Sequence, residues 1–197
     1  MRIVAGAARG RRLVAPKGRD VRPTADRVKE ALFSSLAPRL PGASVLDLFA
    51  GTGALGLEAL SRGAGRVTFV ERARASLEAL DRNIEVVGLP GTEVVRADVA
   101  SAVLGELPGA PFDLVLADPP YDLPPPTLDA VLAGLQRHLA DGAIVVIERA
   151  RRAAPPSWPE GLLVGEVRRY GDTALHRAEH RAEHRPRPDR SDEEGPG

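Results

Sequence analysis

The stretch Val45-Leu-Asp-Leu-Phe-Ala-Gly-Thr-Gly-Ala-Leu-Gly-Leu-Glu58 joins a short apolar run to a glycine-rich turn and then to a helical pattern. Ser44 to Phe49 is rich in apolar residues and too short for a helix, while Leu55, Ala59 and Leu60 recur at helical spacing beyond the glycines. The pattern predicts a strand, a tight turn and a helix. Glycine lacks the Cβ that would keep a ligand off the backbone, and the first N–H groups of a helix have no partner inside it. The stretch therefore reads as a nucleotide-binding corner.

Gly51, Gly53 and Gly56 spell G-x-G-x-x-G, and Glu71 stands 20 residues beyond the first of them, as a dinucleotide site requires. A pyrophosphate and S-adenosylmethionine both suit such a corner, and both call for an acid at the end of the second strand to hold a ribose. Asp47 lies four residues before the first glycine. A carboxylate there attracts a sulfonium or amino cation and repels a pyrophosphate, which favours the methyl donor. A glycine turn that serves only the fold is the third reading.

The chain of 197 residues is long enough for one α/β domain with an appendage. The expected division is a basic N-terminal extension over 1–40, a catalytic domain over 41–177 and a disordered tail over 178–197. Basic and acidic residues balance at 27 each, but from Met1 to Glu30 nine basic residues face three acidic ones. That end is a candidate for a polyanion. The absence of cysteine excludes disulfides, thiolate metal sites and a cysteine nucleophile. No apolar run is long enough to span a bilayer and no secretory leader is evident, so a cytoplasmic protein without membrane contact is expected.

Taken in order, Arg2 to Ala5 and Arg12 to Val14 read as a β-hairpin with arginines on its loop, either a solvated face or a phosphate contact. Thr24 can cap a helix that runs to about Leu36 with Val28, Leu32, Phe33 and Leu36 inward. Strands are expected at Arg66 to Val70, ending at Glu71, and at Glu93 to Arg96, Phe112 to Ala117 and Ala143 to Glu148. Helices are expected at Ala75 to Val87 and Thr127 to Leu139, with Pro124 to Pro126 breaking the chain. This alternation implies a parallel sheet with ligands at the carboxyl ends of its strands, where Asp47, Glu71, Asp98 and Asp118 fall. Leu162 to Tyr170 and Thr173 to Arg177 read as an antiparallel hairpin. The His-Arg-Ala-Glu repeats and the acidic end read as disordered. His180 and His184 have metal-pair spacing, but the tail's composition favours a solvated segment and no metal.

Asp118-Pro-Pro-Tyr121 carries the chemistry. Two prolines fix φ and remove two N–H donors, leaving carbonyls that only accept. Such a site receives a group with two donors on one nitrogen, an exocyclic amine or an amide. If Asp118 takes one hydrogen and the Pro119 carbonyl the other, the lone pair leaves conjugation and can be aimed at a methyl group. Tyr121 is placed to stack on the flat target, worth about 1–3 kcal/mol per base. The bland reading is a Pro-Pro turn that merely ends a strand.

Val45 to Glu58 resembles the first motif of class I S-adenosylmethionine-dependent methyltransferases, and Asp118 to Tyr121 resembles the [DNS]-P-P-[YFW] signature of enzymes that methylate exocyclic amines. The whole order resembles the RsmD family, the 16S rRNA guanine-N2 methyltransferases, through Met1-Arg-Ile-Val-Ala-Gly6, Arg22-Pro-Thr-Ala-Asp-Arg27, Leu46 to Gly53, Phe112-Asp113 and Tyr170-Gly-Asp-Thr173. The resemblance covers roughly Met1 to Arg177. It implies a Rossmann-like class I methyltransferase fold: a mostly parallel seven-stranded sheet with helices on both faces, plus a small N-terminal hairpin and helix. It implies that Asp47, Phe49, Gly51 and Gly53 line the methionine end of S-adenosylmethionine, Glu71 its ribose, and Asp98 with Val99 its adenine, with Thr24 in the segment near donor and RNA. Asp118, Pro119, Pro120 and Tyr121 would hold the guanine amine. Arg9, Arg11, Arg12, Arg22 and Arg27 would meet RNA phosphates. The implied partner is the 16S rRNA of the small ribosomal subunit, the implied state a monomer. The repeats and acidic tail match nothing in the family pattern.

A DNA adenine-N6 methyltransferase would use the same turn and donor. A glutamine methyltransferase acting on protein usually carries Asn at the position of Asp118. An NAD-dependent oxidoreductase would share the glycines without needing the Pro-Pro turn, and a non-catalytic RNA-binding module would need neither half of the site.

Overall fold

All five residues of Ser44–Leu48 (β1) are buried, as a strand covered on both faces requires. The fold around it comes from a computed structural model, which describes residues 1–15 and 23–182 and the side chains of these apart from 23–26. The further elements are α1 (Pro23–Leu36), α2 (Ala54–Ser61), β2 (Arg66–Glu71), α3 (Arg74–Val87), β3 (Thr92–Arg96), α4 (Val99–Ala102), β4 (Phe112–Ala117), α5 (Pro125–Leu135), β5 (Leu139–Ala150), β6 (Leu162–Val164), β7 (Arg168–Tyr170) and β8 (Thr173–His180).

The sheet runs β3-β2-β1-β4-β5-β8-β6, with β7 also on β8. The first five positions are parallel and β8 is antiparallel to β5. β6 and β7 pair with opposite ends of β8, so together they fill the seventh position. The sheet is thus the mostly parallel, seven-position sheet expected. Its order reverses between β1 and β4, the switch point where such sheets bind ligands. Successive strand residues point to opposite faces. Val45, Phe69, Leu116 and Val146 pack with Phe33, Leu57 and Leu80 of α1 to α3. Leu46, Leu48, Val115 and Ile147 pack with α4 and with Leu128, Val131 and Leu135 of α5.

Several boundaries differ from the sequence pattern. Pro125 and Pro126 do not break the chain but open α5, because N–H groups in a first turn lack helical partners in any case. β5 begins at Leu139 rather than Ala143, since an irregularity between Phe112 and Leu114 lets Leu139 and Ile144 pair with them. β8 continues to His180, so the boundary expected at 177/178 falls inside a strand. His180 Nδ1 lies 2.9 Å from the Ala140 carbonyl oxygen; His184 and the rest of 183–197 lie outside the described residues.

The expected N-terminal hairpin reduces to one antiparallel bridge, Arg2 with Arg12, around an irregular loop. Its fastening is polar. Ala7 N donates to the Ser61 carbonyl at 2.7 Å, Ala8 N to Ser61 Oγ at 2.9 Å, and Arg11 to the Val86 and Val87 carbonyls at the end of α3. Asn83, fully buried on α3, donates to the carbonyls of Val14 at 3.0 Å and Thr52 at 2.9 Å and accepts from Val14 N at 2.7 Å. It ties the N-terminal segment to the glycine corner.

Gly6 shows why this loop needs glycine. Its φ is +85°, and a Cβ there would stand 1.8 Å from the Ser61 carbonyl oxygen. Gly6→Ala is expected to cost about 1–3 kcal/mol in denaturant unfolding, with faster hydrogen exchange at the Ala7 and Ala8 amides. Unchanged stability and protection would show that the loop can dock in another way.

Candidate active site

Register assembles the acids. Asp47 on β1 is level with Phe69 on β2 and Leu116 on β4, and Leu116 is level with Val146 on β5. Two residues further along each neighbouring strand stand Glu71, Asp118 and Glu148. By the two-residue period of a strand, Glu71, Asp47, Asp118 and Glu148 share the face toward α1 to α3, at the carboxyl ends of four adjacent strands. The charges bear on one another: Asp118 and Glu71 both act on Asp47, and Asp118 acts on Glu148.

The glycine corner bends sharply beside this row. Phe49, Gly51 and Gly53 have φ of +57°, +57° and +78°. Phe49 is the one non-glycine residue with positive φ among those described, a conformation that costs energy and clusters at functional sites. Glu71 holds the bend: Oε2 accepts from Gly51 N at 2.8 Å, while Oε1 accepts from Arg72 N at 2.8 Å and Ala73 N at 2.7 Å. Asp47 Oδ2 accepts from Gly56 N at 2.8 Å. It thereby does for the first turn of α2 what the glycine N-cap Gly53, with no side chain, cannot. Burial pushes the Asp47 carboxyl well above the usual carboxylate range; the Gly56 N–H pulls it down, and the charges of Asp118 and Glu71 push it further up. At the end of β3, Asp98 Oδ1 accepts from Ala100 N at 2.9 Å and Oδ2 pairs with Arg72 at 2.9 Å. Val99, beginning α4, is buried.

This donor set fits S-adenosylmethionine. A cationic sulfonium and ammonium would favour the ionised forms of these acids, Asp47 included, whereas a pyrophosphate would bring a charge of the same sign to them. Glu71 Oε2, with one hydrogen bond, has capacity for a hydroxyl donor. The Asp98 side chain is 43% exposed at the rim.

One residue past β4 the chain enters the proline turn. Asp118, Pro120 and Tyr121 are exposed while Pro119 is buried, and Tyr121 presents 76% of its surface. The Pro120 carbonyl accepts from Leu123 N at 3.0 Å, which closes the turn. The Pro119 carbonyl is not used in that closure. The turn therefore brings a carboxylate, a carbonyl and a largely exposed aromatic ring together.

Glu148 joins the site although sequence reasoning treated it only as a strand end. The signal available was its place at the carboxyl end of a parallel strand. Its carboxyl is pushed up to about 7, first by burial and then by the charge of Asp118, with the Thr173 hydroxyl pulling down; Thr173 Oγ1 donates to Oε1 at 3.4 Å. Because the folded state binds this proton more tightly than the unfolded chain, stability is lost as pH rises from about 4.5 to about 7. Glu148→Gln should accordingly raise stability by about 1–3 kcal/mol at pH 8 and have little effect near pH 4.5. Thermal melts across that range check it, and a gain independent of pH would contradict it.

The basic residues are dispersed. α2 begins at the glycine corner and ends at Ser61, and the Arg9 to Arg12 loop docks at the Ser61 end, about 12 Å along the helix from the corner. Arg9 and Arg12 are exposed there, whereas Arg11 serves the end of α3. Arg27 is exposed on α1. Arg22 and the side chain of Thr24 lie outside the described residues.

Comparison with known proteins gives a consistent result. The model of the family described as Conserved hypothetical protein 95 matches residues 1–179. Ribosomal RNA small subunit methyltransferase D of Escherichia coli K12 is 38% identical over 161 residues, covering 81% of this chain and 79% of that protein. A Bacillus subtilis candidate rRNA methyltransferase, YlbH, is 33% identical over 179 residues, covering 89% and 96%. The solved structure of a candidate methyltransferase from Escherichia coli superposes with a TM-score of 0.81 at 33% identity, over 92% of this chain and 98% of that one.

Proposed function

The chain belongs to the Conserved hypothetical protein 95 family, the RsmD methyltransferases, and on that premise we propose that it transfers a methyl group from S-adenosylmethionine to the exocyclic N2 amine of a guanine in the 16S rRNA of the small ribosomal subunit. The observation that carries the reading is the meeting, at the β1/β4 switch point, of a carboxylate-lined glycine corner with the Asp118-Pro-Pro-Tyr121 turn.

Asp47, Phe49, Gly51 and Gly53 would hold the methionine end of the donor, Glu71 the ribose, and Asp98 with Val99 the adenine, with Thr24 nearby. When bound, the donor supplies an electrophilic methyl carbon on a cationic sulfur. Asp118 accepts one hydrogen of the target amine and the Pro119 carbonyl accepts the other. These two bonds fix the nitrogen and free its lone pair, and positioning of this kind supplies most of such a rate enhancement. Asp118 then stabilises the positive charge that grows on the nitrogen and holds the proton it sheds. Pro120 keeps the turn rigid, and Tyr121 stacks on the base. The guanine must leave its stack to arrive, so the enzyme acts on a loop base or flips one out. Arg9, Arg11, Arg12, Arg22 and Arg27 would contribute salt-sensitive phosphate contacts. Among the described residues no helix is long and apolar enough to cross a membrane, and the reading is of a cytoplasmic monomer.

The test is methyl incorporation from radiolabelled S-adenosylmethionine into unmodified small subunits, free rRNA and DNA, followed by nucleoside analysis. N2-methylguanosine is expected. N6-methyladenine would replace the substrate while keeping fold and donor, and absence of donor binding would overturn the reading.

A further inference from the structure

Glu148 and Arg149 are neighbours on β5, so they point to opposite faces of the sheet. Arg149 is level with Ala174 on β8, and Ala174 is level with Arg169 on β7. Directly paired residues share a face, so the two arginines flank the small, buried Ala174 on the face opposite the acidic row. His176, two residues along β8, stands on that face too and feels both: burial first, then the charges of Arg169 and Arg149, hold its imidazole below the usual range. Arg149 is 92% buried, with a relative exposure of 8%, and its Nε has no hydrogen-bond partner. Arg151 and Arg152 follow it on the surface. Among the described residues, none of these arginines has a carboxylate within ion-pair distance. Burying a guanidinium donor with no acceptor is costly, and Arg149 beside the exposed Arg169 makes sense when an anion completes the arrangement.

We propose that Arg149, Arg169 and His176 form a phosphate-binding site that takes a backbone phosphate of the RNA next to the nucleotide held in the Asp118 turn. The site stands at the carboxyl ends of the parallel strands, beside that turn, where the Arg9 to Arg12 loop does not reach. Guanidinium groups pair with phosphate oxygens through two parallel N–H donors, and the Arg149 Nε is a donor awaiting such an oxygen. The proposal rests on the RNA methyltransferase reading but concerns backbone contact, not base chemistry.

The experiment measures binding of a 16S rRNA fragment as a function of salt, for the intact chain, Arg149→Met and the surface variant Arg169→Gln. Each variant is expected to lose about tenfold in affinity at low salt and to flatten the slope of log K against log salt by about 0.7–0.9. S-adenosylmethionine affinity should be unchanged, and the melting temperature of Arg149→Met should hold or rise, because a buried N–H donor without an acceptor has been removed. A fall in melting temperature with intact RNA binding would show a structural arginine and overturn the proposal. So would an unchanged slope for Arg169→Gln, a residue whose replacement does not disturb the core. Failure of the methyltransferase reading would show separately, as absent donor binding or transfer by the intact chain.

Discussion

Replacing Asp118 by alanine is expected to lower single-turnover methyl transfer about 10²–10⁴-fold, while the dissociation constant for S-adenosylmethionine stays within about threefold. The expectation follows from where the residue sits. Asp118 is exposed, one position past β4, beside the Pro119 carbonyl and the uncovered Tyr121 ring, which is where the proposed mechanism brings the target amine. The corner that would hold the donor is built from other residues, Glu71 on Gly51 N and Asp47 on Gly56 N. Asp118→Asn keeps the shape and an accepting oxygen but loses the charge, and its rate should fall between the two. Quench-flow transfer measurements with parallel calorimetric titration of the donor separate the two functions. Full activity in Asp118→Ala would remove the turn from the chemistry. A comparable loss of donor affinity would place Asp118 in the donor site instead.

Glu58→Ala should lower stability by about 3–5 kcal/mol, a fall of about 6–20 °C in melting temperature for a chain of this size. Glu58 is fully buried in the middle of α2. Oε2 accepts from Val4 N at 2.8 Å and lies 3.3 Å from the Lys29 ammonium; Oε1 accepts from Ala5 N at 3.0 Å and from Arg62 Nε at 2.7 Å. Lys29 is itself 5% exposed and donates to the Arg2 carbonyl at 2.6 Å. Removing the carboxylate leaves a buried ammonium without its counter-charge and the Val4 and Ala5 N–H groups without this acceptor, and each loss has its own desolvation cost. The paired change Glu58→Leu with Lys29→Met removes both charges and should recover part of the loss. Thermal and denaturant melts decide the matter, and a loss below about 1 kcal/mol would mean that water reaches the pair.

Most of the sheet and the Asp118-Pro-Pro-Tyr121 turn were legible in the chain. Each is written in a contiguous stretch: an apolar run of strand length, glycines that permit positive φ, prolines that fix it. Boundaries failed where a local rule had a tertiary exception. Pro125 and Pro126 look like breakers but occupy a first turn, and β5 is longer than its apolar pattern because pairing with Phe112 extends it. Glu58 reads as one more polar helix residue until its neighbours are known, and Asn83 likewise.

The sequence by itself determined the α/β alternation, the glycine corner and the Asp118-Pro-Pro-Tyr121 turn, because the forces that shape them act between residues close in the chain. Only the tertiary structure decided that Glu71, Asp47, Asp118 and Glu148 stand in one row, that Arg11 serves the end of α3, and that Arg149 meets Arg169 across Ala174. Those outcomes depend on cross-strand register and on burial. A one-residue slip in register would send each side chain to the opposite face, and the packing of distant segments, not any local pattern, sets it.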